Sequence, residues 1–282
     1  MSTKRLLGVF AHPDDEGFIS GALLHYRASG IETGLVFATR GEVGEISDPL
    51  LKTRDDLDEI REEEMRMAAS LLGVNNLWFL GYRDSGVQGA PDNQHARAFI
   101  HARPAEVVGK LVQIIRQFRP QVIVTFDETG ADGHPDHLAI YRYTTSAFHA
   151  AADSALYPDL GPAHSAAKLY YTGMTRQQIL TMTEWLQEQE PGGPFKNADP
   201  QTLGLTDEQI NVVLDVERWQ DDKILAASQH RTQVNPSNPV AQMLPEFQRK
   251  LRATEYYQLA TSRVGDDTMG ENDLFTHVEG LK

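Results

Sequence analysis

The chain has 282 residues, 40% hydrophobic and 23% charged, enough to bury a sizeable core without covalent staples. It contains no cysteine, which excludes disulfides, thiolate metal ligands and a cysteine nucleophile, so any metal site must draw on His, Asp, Glu or water. A net charge of -14 and a pI of about 5.1 run against phosphate-backbone binding, so no nucleic-acid partner is expected.

In chain order, Leu6 to Ala11 reads as a buried strand. Ile19 to Ser29 reads as a helix stopped by Gly30, and the run 31–39 as a second strand ending at Thr39. Thr53 to Leu72 carries Leu57, Ile60, Met67, Ala68 and Leu71 at helical spacing, with Gly73 as its stop. Residues 75–82, "NNLWFLGY", read as a short strand, Ala105 to Phe118 as a helix, and "PQVIVTF" (120–126) as the clearest buried strand. A helix over Leu138 to Ala152 follows, then strands in "AAKLYYTGM" and "NVVLDV", then a helix over Arg218 to Gln229. Gln187 to Asp207 is rich in Pro, Gly, Asn and Asp and reads as an insertion or lid loop. The tail after Gln233 is less periodic, with "NPSNP" and "VGDDTMGEND" read as loops.

The alternation of strand and helix predicts an α/β fold: a Rossmann-like, three-layer arrangement around a mostly parallel sheet. One domain spanning 1–282 is expected, with a core over about 5–235 and a C-terminal extension over about 236–282. The six apolar residues before His12 are too few for a signal peptide, and no run reaches a membrane span, so a cytoplasmic protein is expected. One chain does not specify an oligomeric state.

In an open parallel sheet, ligands gather beyond the carboxyl ends of the strands. Four polar clusters are expected there: His12-Pro13-Asp14-Asp15-Glu16, Arg40-Gly41-Glu42, Arg83-Asp84-Ser85-Gly86, and Asp127 to His137. The first loop lacks a G-x-G-x-x-G fingerprint, which argues against a dinucleotide site. Crowded carboxylates repel one another and call for a cation. His12 and Asp15 are three apart, as are His134 and His137, so each pair can point one way from the first turn of a helix. Two histidines and a carboxylate with open positions form a catalytic zinc site or a similar hydrolytic metal site. A helix cap is the structural alternative for either motif alone.

These residues carry a family resemblance. "AHPDDE" (11–16) together with "GHPDH" (133–137) resembles the zinc-dependent N-deacetylases of the LmbE / PIG-L type, which include the N-acetylglucosaminyl-phosphatidylinositol de-N-acetylase and the mycothiol and bacillithiol deacetylases. Further matches lie in "TRGEVG", "IREEEMRMAASLLGV", "GYRDSGV" and "KILAASQHRTQ", so the resemblance covers roughly 5–235. It implies zinc, one ion per chain with other divalent metals also able to fit, on His12, Asp15 and His137. It also implies Asp14 as general base and His134 as oxyanion stabiliser or general acid. The chemistry agrees: zinc activates water near neutral pH, a carboxylate beside it takes the proton, and a protonated His134 suits the oxyanion.

Several residues are weighed as substrate-binding or supporting groups. Glu42 is read as orienting His12 or a substrate hydroxyl, against a plain cap or surface role. Arg61 is read as reaching a sugar or phosphate, against a helical pair with Glu64. Arg83 and Asp84 are read as substrate-facing, Asp136 as a partner that fixes an imidazole, and His230 as closing the site. Asp132 stands where some mycothiol-type members are expected to carry a tyrosine, which puts that subgroup in question. Glu16 has no firm role beyond a first-turn carboxylate. His25, His95, His101, His149, His164 and His277 lack supporting clusters and read as ordinary residues.

The expected function is removal of an N-acetyl or other N-acyl group from an N-acetylglucosamine-type sugar by metal-activated water, with a small amino-sugar as the partner. The alternatives are a metal-dependent phosphoesterase and a non-catalytic sugar-binding protein. Substrate specificity is expected in the loops at 84–104 and 182–207.

Overall fold

The computed structural model describes residues 3–47, 50, 55–189, 204–234, 245–265 and 271–279. The strands are β1 (Arg5–Phe10), β2 (Glu32–Phe37), β3 (Asn76–Phe79), β4 (Val122–Phe126), β5 (Lys168–Thr172), β6 (Val212–Asp215) and β7 (Thr254–Ser262). The helices are α1 (Ser20–Ala28), α2 (Leu57–Leu72), α3 (Pro104–Phe118), the single turn α4 (Gly130–Gly133), α5 (Pro135–Ala152), α6 (Arg176–Gln189), α7 (Gln220–Ala227) and α8 (Pro245–Arg252). None of the described helices is long and apolar enough to cross a membrane.

All strands join one sheet in the order β3-β2-β1-β4-β5-β7-β6. The first five run parallel, while β7 is antiparallel to both its neighbours. The fold is therefore the α/β, Rossmann-like, mostly parallel arrangement expected. Helix α3 packs on α5 on one face; α1, α2 and α7 pack together on the other. β4 is buried at every position, because a central parallel strand is covered on both sides, and its one hydroxyl, Thr125, donates to Val9 O at 2.8 Å. Strand order reverses at β1, which pairs β2 on one side and β4 on the other. The crevice beyond the ends of β1 and β4 is the topological switch point, where such sheets place ligands.

Four elements differ from expectation. Helix α5 starts at Pro135 rather than Leu138, because proline fits the first helical position. The helix expected over 218–229 is a short 3-10 turn, Glu217–Trp219, followed by α7. Helix α6 occupies a stretch given no element, up to Gln189, and 190–203 of the expected lid loop lie outside the described residues. Strand β7 comes from the segment expected to be an extension, yet it fills a sheet position between β5 and β6. The start of the expected helix at Thr53 and the "NPSNP" loop also lie outside the described residues.

A candidate metal centre at the switch point of the sheet

The chain leaves β1 in a tight turn. Asp15 closes it: its Oδ2 accepts the amides of Ala11 at 3.1 Å and His12 at 2.8 Å. That leaves Asp15 Oδ1 free to face across the crevice. His12 and Asp15 thus share a side through a carboxylate-closed turn rather than through a helix. Between them Asp14 adopts φ 96° and ψ -22°, in the left-handed region that L-residues rarely occupy.

The chain leaving β4 is built differently. Asp127 Oδ1 gathers Thr129 N at 3.0 Å and Thr129 Oγ1 at 2.7 Å, holding the turn into α4. His134 caps α5, its Nδ1 accepting the amide of Asp136 at 3.1 Å. The two histidines of this motif do sit at the first turn of a helix. His137 donates from Nδ1 toward the Gly130 carbonyl at 2.9 Å, and Asp132 Oδ1 lies 3.1 Å from the same nitrogen. Phe126 stacks on the His137 ring at 4.2 Å.

Across the crevice, His12 Nδ1 lies 3.2 Å from His137 Nε2, and His137 Nε2 lies 3.3 Å from Asp15 Oδ1. His12 Nδ1 is 3.7 Å from Asp15 Oδ2. Donors about 2.0–2.1 Å from a tetrahedral ion stand about 3.3 Å apart, so this set fits zinc or a similar cation. The hydrogen bonds strengthen the fit. The proton of His137 is committed at Nδ1 to Gly130, and that of His12 at Nε2 to Asp136 Oδ2, 3.2 Å away. The remaining nitrogens, His12 Nδ1 and His137 Nε2, then face each other beside a carboxylate, where either a second proton or a cation can sit. The atoms of His12, His134 and His137 also lie mutually within 4.8 Å, as do those of His12, Asp84 and Asp136. The second group surrounds the outer nitrogen of His12 and orients its ring.

Electrostatics point the same way. Burial alone would lower both ligand histidines. The carboxylates of Asp84, Asp136 and Asp15 outweigh it and raise His12 well above its ordinary value. Asp15 and Asp132 raise His137 to about 10. Burial would raise Asp15, yet the two imidazoles pull it down to about 2. A field that binds protons so firmly to imidazoles is one a divalent cation can replace. His134 behaves oppositely: burial and its neighbours His12 and His137 lower it to about 4. That shift favours the neutral ring over the imidazolium, and with Nδ1 accepting the Asp136 amide the donor of a neutral ring is Nε2. Desolvation raises Asp14 to about 6, against the downward pull of Arg61.

The cavity above these groups has a volume of about 560 Å³. Arg61, Asp84, Gln233 and Gly44 lie on its polar side, and Phe18, Ala131, Met174, Ile179 and Met182 form an apolar side. Arg61 is buried: it donates to Gly41 O at 2.8 Å, Pro13 O at 2.6 Å and Asp14 Oδ2 at 3.2 Å. Gly41 (φ +68°) leaves room for it, since a Cβ there would lie 2.2 Å from Arg61 Nη1. Glu64 does not pair with Arg61; it accepts from Thr232 N and Oγ1 at 3.0 and 2.6 Å. Asp84 is held by the amides of Gly86 at 2.8 Å and Val43 at 3.3 Å. Asp136 accepts the Ser85 amide at 2.9 Å. His230 bonds Glu16 at 2.6 Å and lies behind the cavity wall.

Glu42 and Arg83 are not brought to this cavity. They line a neighbouring one of about 690 Å³ with Arg40, Arg97 and Arg103, where Arg83 pairs with Asp92 at 2.6 Å. Asp136 and Asp84, not Glu42, face the outer nitrogen of His12. Sequence reasoning missed the cavity-lining Met174 and Ile179, while Met182 and Thr183 fall within the 182–207 segment where specificity was expected, on helix α6 rather than a loop. The 3-and-4 spacing of Ile179, Met182 and Leu186 would have revealed the helix that carries three of these positions.

Comparisons with known proteins bear on the family and the fold. A family model described as PIG-L, GlcNAc-PI de-N-acetylase, matches residues 7–148. The chain is 36% identical to a 1D-myo-inositol 2-acetamido-2-deoxy-alpha-D-glucopyranoside deacetylase of Geodermatophilus obscurus, over 99% of each chain. Among solved structures it resembles the N,N'-diacetylchitobiose deacetylase of Pyrococcus horikoshii, with a TM-score of 0.64, 19% identity, and 91% of this chain and 83% of that one covered. It also resembles GalB, the 4-carboxy-2-hydroxymuconate hydratase of Pseudomonas putida, with a TM-score of 0.60, 18% identity, and 94% and 99% covered. At such identities these two structures speak to the fold alone, and a hydratase among them indicates that the fold by itself does not name a reaction. Family membership rests instead on the matched family model and on the full-length relative: this chain belongs to the PIG-L family of GlcNAc-PI de-N-acetylases.

Proposed function

We propose that this protein is a metal-dependent N-deacetylase that hydrolyses the acetamide of an N-acetylglucosamine-type glycoside, with a glucosaminyl-inositol as the first substrate to try. The observation that carries the reading is the pair of facing imidazole nitrogens, His12 Nδ1 and His137 Nε2, beside Asp15 Oδ1, with the Asp14 carboxylate in the same cavity. The name of the Geodermatophilus relative supports the choice of sugar.

His12 Nδ1, Asp15 and His137 Nε2 would hold the ion, and Asp136 would keep the His12 ring in place. A zinc ion there supplies Lewis acidity and brings the pKa of water toward about 7. Asp14 takes the proton of the attacking water. His134 donates its Nε2–H to the oxygen that gains charge as the amide carbon becomes tetrahedral. Asp14 then returns the proton to the leaving amine. Asp84 and Gln233 orient sugar hydroxyls on the polar side. Arg61 is the only Lys or Arg among the described residues lining the cavity, and it is already bonded to carbonyls, so a phosphoester reading has little to hold a phosphate. We take the chain to be one domain, since β7 and β6 complete the same sheet as β1 to β5.

The test is metal analysis of the purified protein, followed by free-amine release from N-acetylated amino sugars by wild type and Asp14→Asn. The variant should keep its metal and lose about 10²- to 10⁴-fold in kcat, the range for a lost general base. Full deacetylase activity in a metal-loaded Asp14→Asn enzyme would overturn the mechanism.

A further inference from the structure

We infer that Glu16 and His230 are positioning residues for this reaction, bracing the Asp14 backbone in its left-handed conformation and so aiming its carboxylate. The inference rests on Asp14 being the general base. Asp14 at φ 96° carries a side chain in a region that favours glycine, and such a conformation persists only when the surroundings determine it. One determinant is Glu16, whose Oε2 accepts the Asp14 amide at 2.9 Å. That alone would be a local loop contact. The other carboxylate oxygen, Oε1, is held by His230 Nε2 at 2.6 Å, from a residue 214 positions away beyond α7. Both side chains are buried, at 2% exposure each.

A carboxylate suits this place because its two oxygens can accept from two donors at once, one in the strained turn and one in the frame of the fold. Neither Glu16 nor His230 lines the metal cavity; with Asp14 they line a separate cavity of about 170 Å³ behind it. Neither side chain therefore meets substrate on the cavity side. Arg61 braces the same turn from the opposite direction, through Pro13 O and Asp14 Oδ2. Asp14 thus sits between two buried clamps, and loss of the rear one lets its backbone relax toward an ordinary conformation. The carboxylate would then swing away from the water it must deprotonate.

The experiment compares metal-loaded Glu16→Ala, Glu16→Gln, His230→Ala, His230→Gln and Asp14→Asn with wild type, reading kcat, KM and metal per chain on the same samples. Glu16→Ala and His230→Ala should lower kcat by about tenfold or more, since small misplacements of a reacting group are costly. KM should stay within about twofold, because no substrate contact is removed. Metal content should stay at the wild-type level. Glu16→Gln, which can still accept the Asp14 amide, and His230→Gln, which keeps a donor near Nε2, should recover most of the loss. A crystal structure of Glu16→Ala should show Asp14 out of the positive-φ region. Unchanged kcat in both alanine variants, a loss confined to KM, or a loss that tracks metal content would each overturn the inference. If Glu16→Ala fails to fold, His230→Ala decides, since it leaves the Glu16–Asp14 bond in place. An Asp14→Asn enzyme with full activity would instead sink the reading of Asp14 as base, whatever the clamp does.

Discussion

The two halves of the candidate metal site are held differently. The β1 loop is braced by residues far away in the chain: Arg61, 47 positions from Asp14, and His230, 214 positions from Glu16. The β4 loop is braced mostly by its own neighbours, with His134 capping the helix two residues ahead and His137 bonding a carbonyl seven residues back, while Asp136 also accepts the Ser85 amide. Both loops hold a non-glycine residue at positive φ, Asp14 in the first and Ala131 in the second, but only around Asp14 does the bracing come from such distant side chains. The second uses the N-terminus of a helix, whose unpaired amides already ask for a local cap. Damage to distant partners should therefore impair the first half, while the second should tolerate changes outside its own turn.

The largest effect should come from the residue where the halves meet. His137→Ala removes one ligand of the proposed ion, and elemental analysis after dialysis should show metal falling to near zero, with hydrolysis at background. Retained stoichiometric metal would mean that the ion binds elsewhere. Next comes Arg61→Met. It leaves two buried carbonyls and the Asp14 carboxylate without their donor, which should cost about 1–3 kcal/mol by urea unfolding, together with a fall in kcat. A stability equal to wild type would break the contrast between the halves. The smallest effect is expected from Asp132→Asn. Its side chain is 66% exposed, and the Gly130 carbonyl still holds His137 Nδ1, so metal affinity by chelator competition should fall by less than about tenfold, the low end for a supporting partner. A loss as large as that of His137→Ala would show that Asp132, not Gly130, sets the ring.

These outcomes bear on what could be read from residues alone. The apolar runs of β1 and β4 were legible because central parallel strands, covered on both faces, are apolar at nearly every position. The paired His-containing motifs were legible because both follow such runs. β7 was not. Its inward-facing positions include Glu255, which is buried only because Lys223 Nζ at 2.7 Å and the amides of Gly21 and Ala22 at 2.7 and 2.9 Å meet it. A charge on the inner face breaks the alternation by which a strand is recognised. Glu42 and Arg83 looked equivalent to Asp84 as residues following strands, yet they face a different cavity. Position along a strand end specifies the sheet edge, not which wall of which cavity a side chain joins.

By itself, the sequence determined the layered α/β architecture, the edge of the sheet that bears the chemistry, and the residue types able to bind a metal there. These follow from short-range rules: strand and helix periodicity, and ligand spacing within one turn. Only the tertiary structure decided that His12 Nδ1 and His137 Nε2 face each other, that burial and its neighbours push the His134 imidazole down, and that Glu16 reaches His230. Those facts depend on which groups meet across the crevice after folding, and on the desolvation and fields they then share. No local pattern in the chain encodes either one.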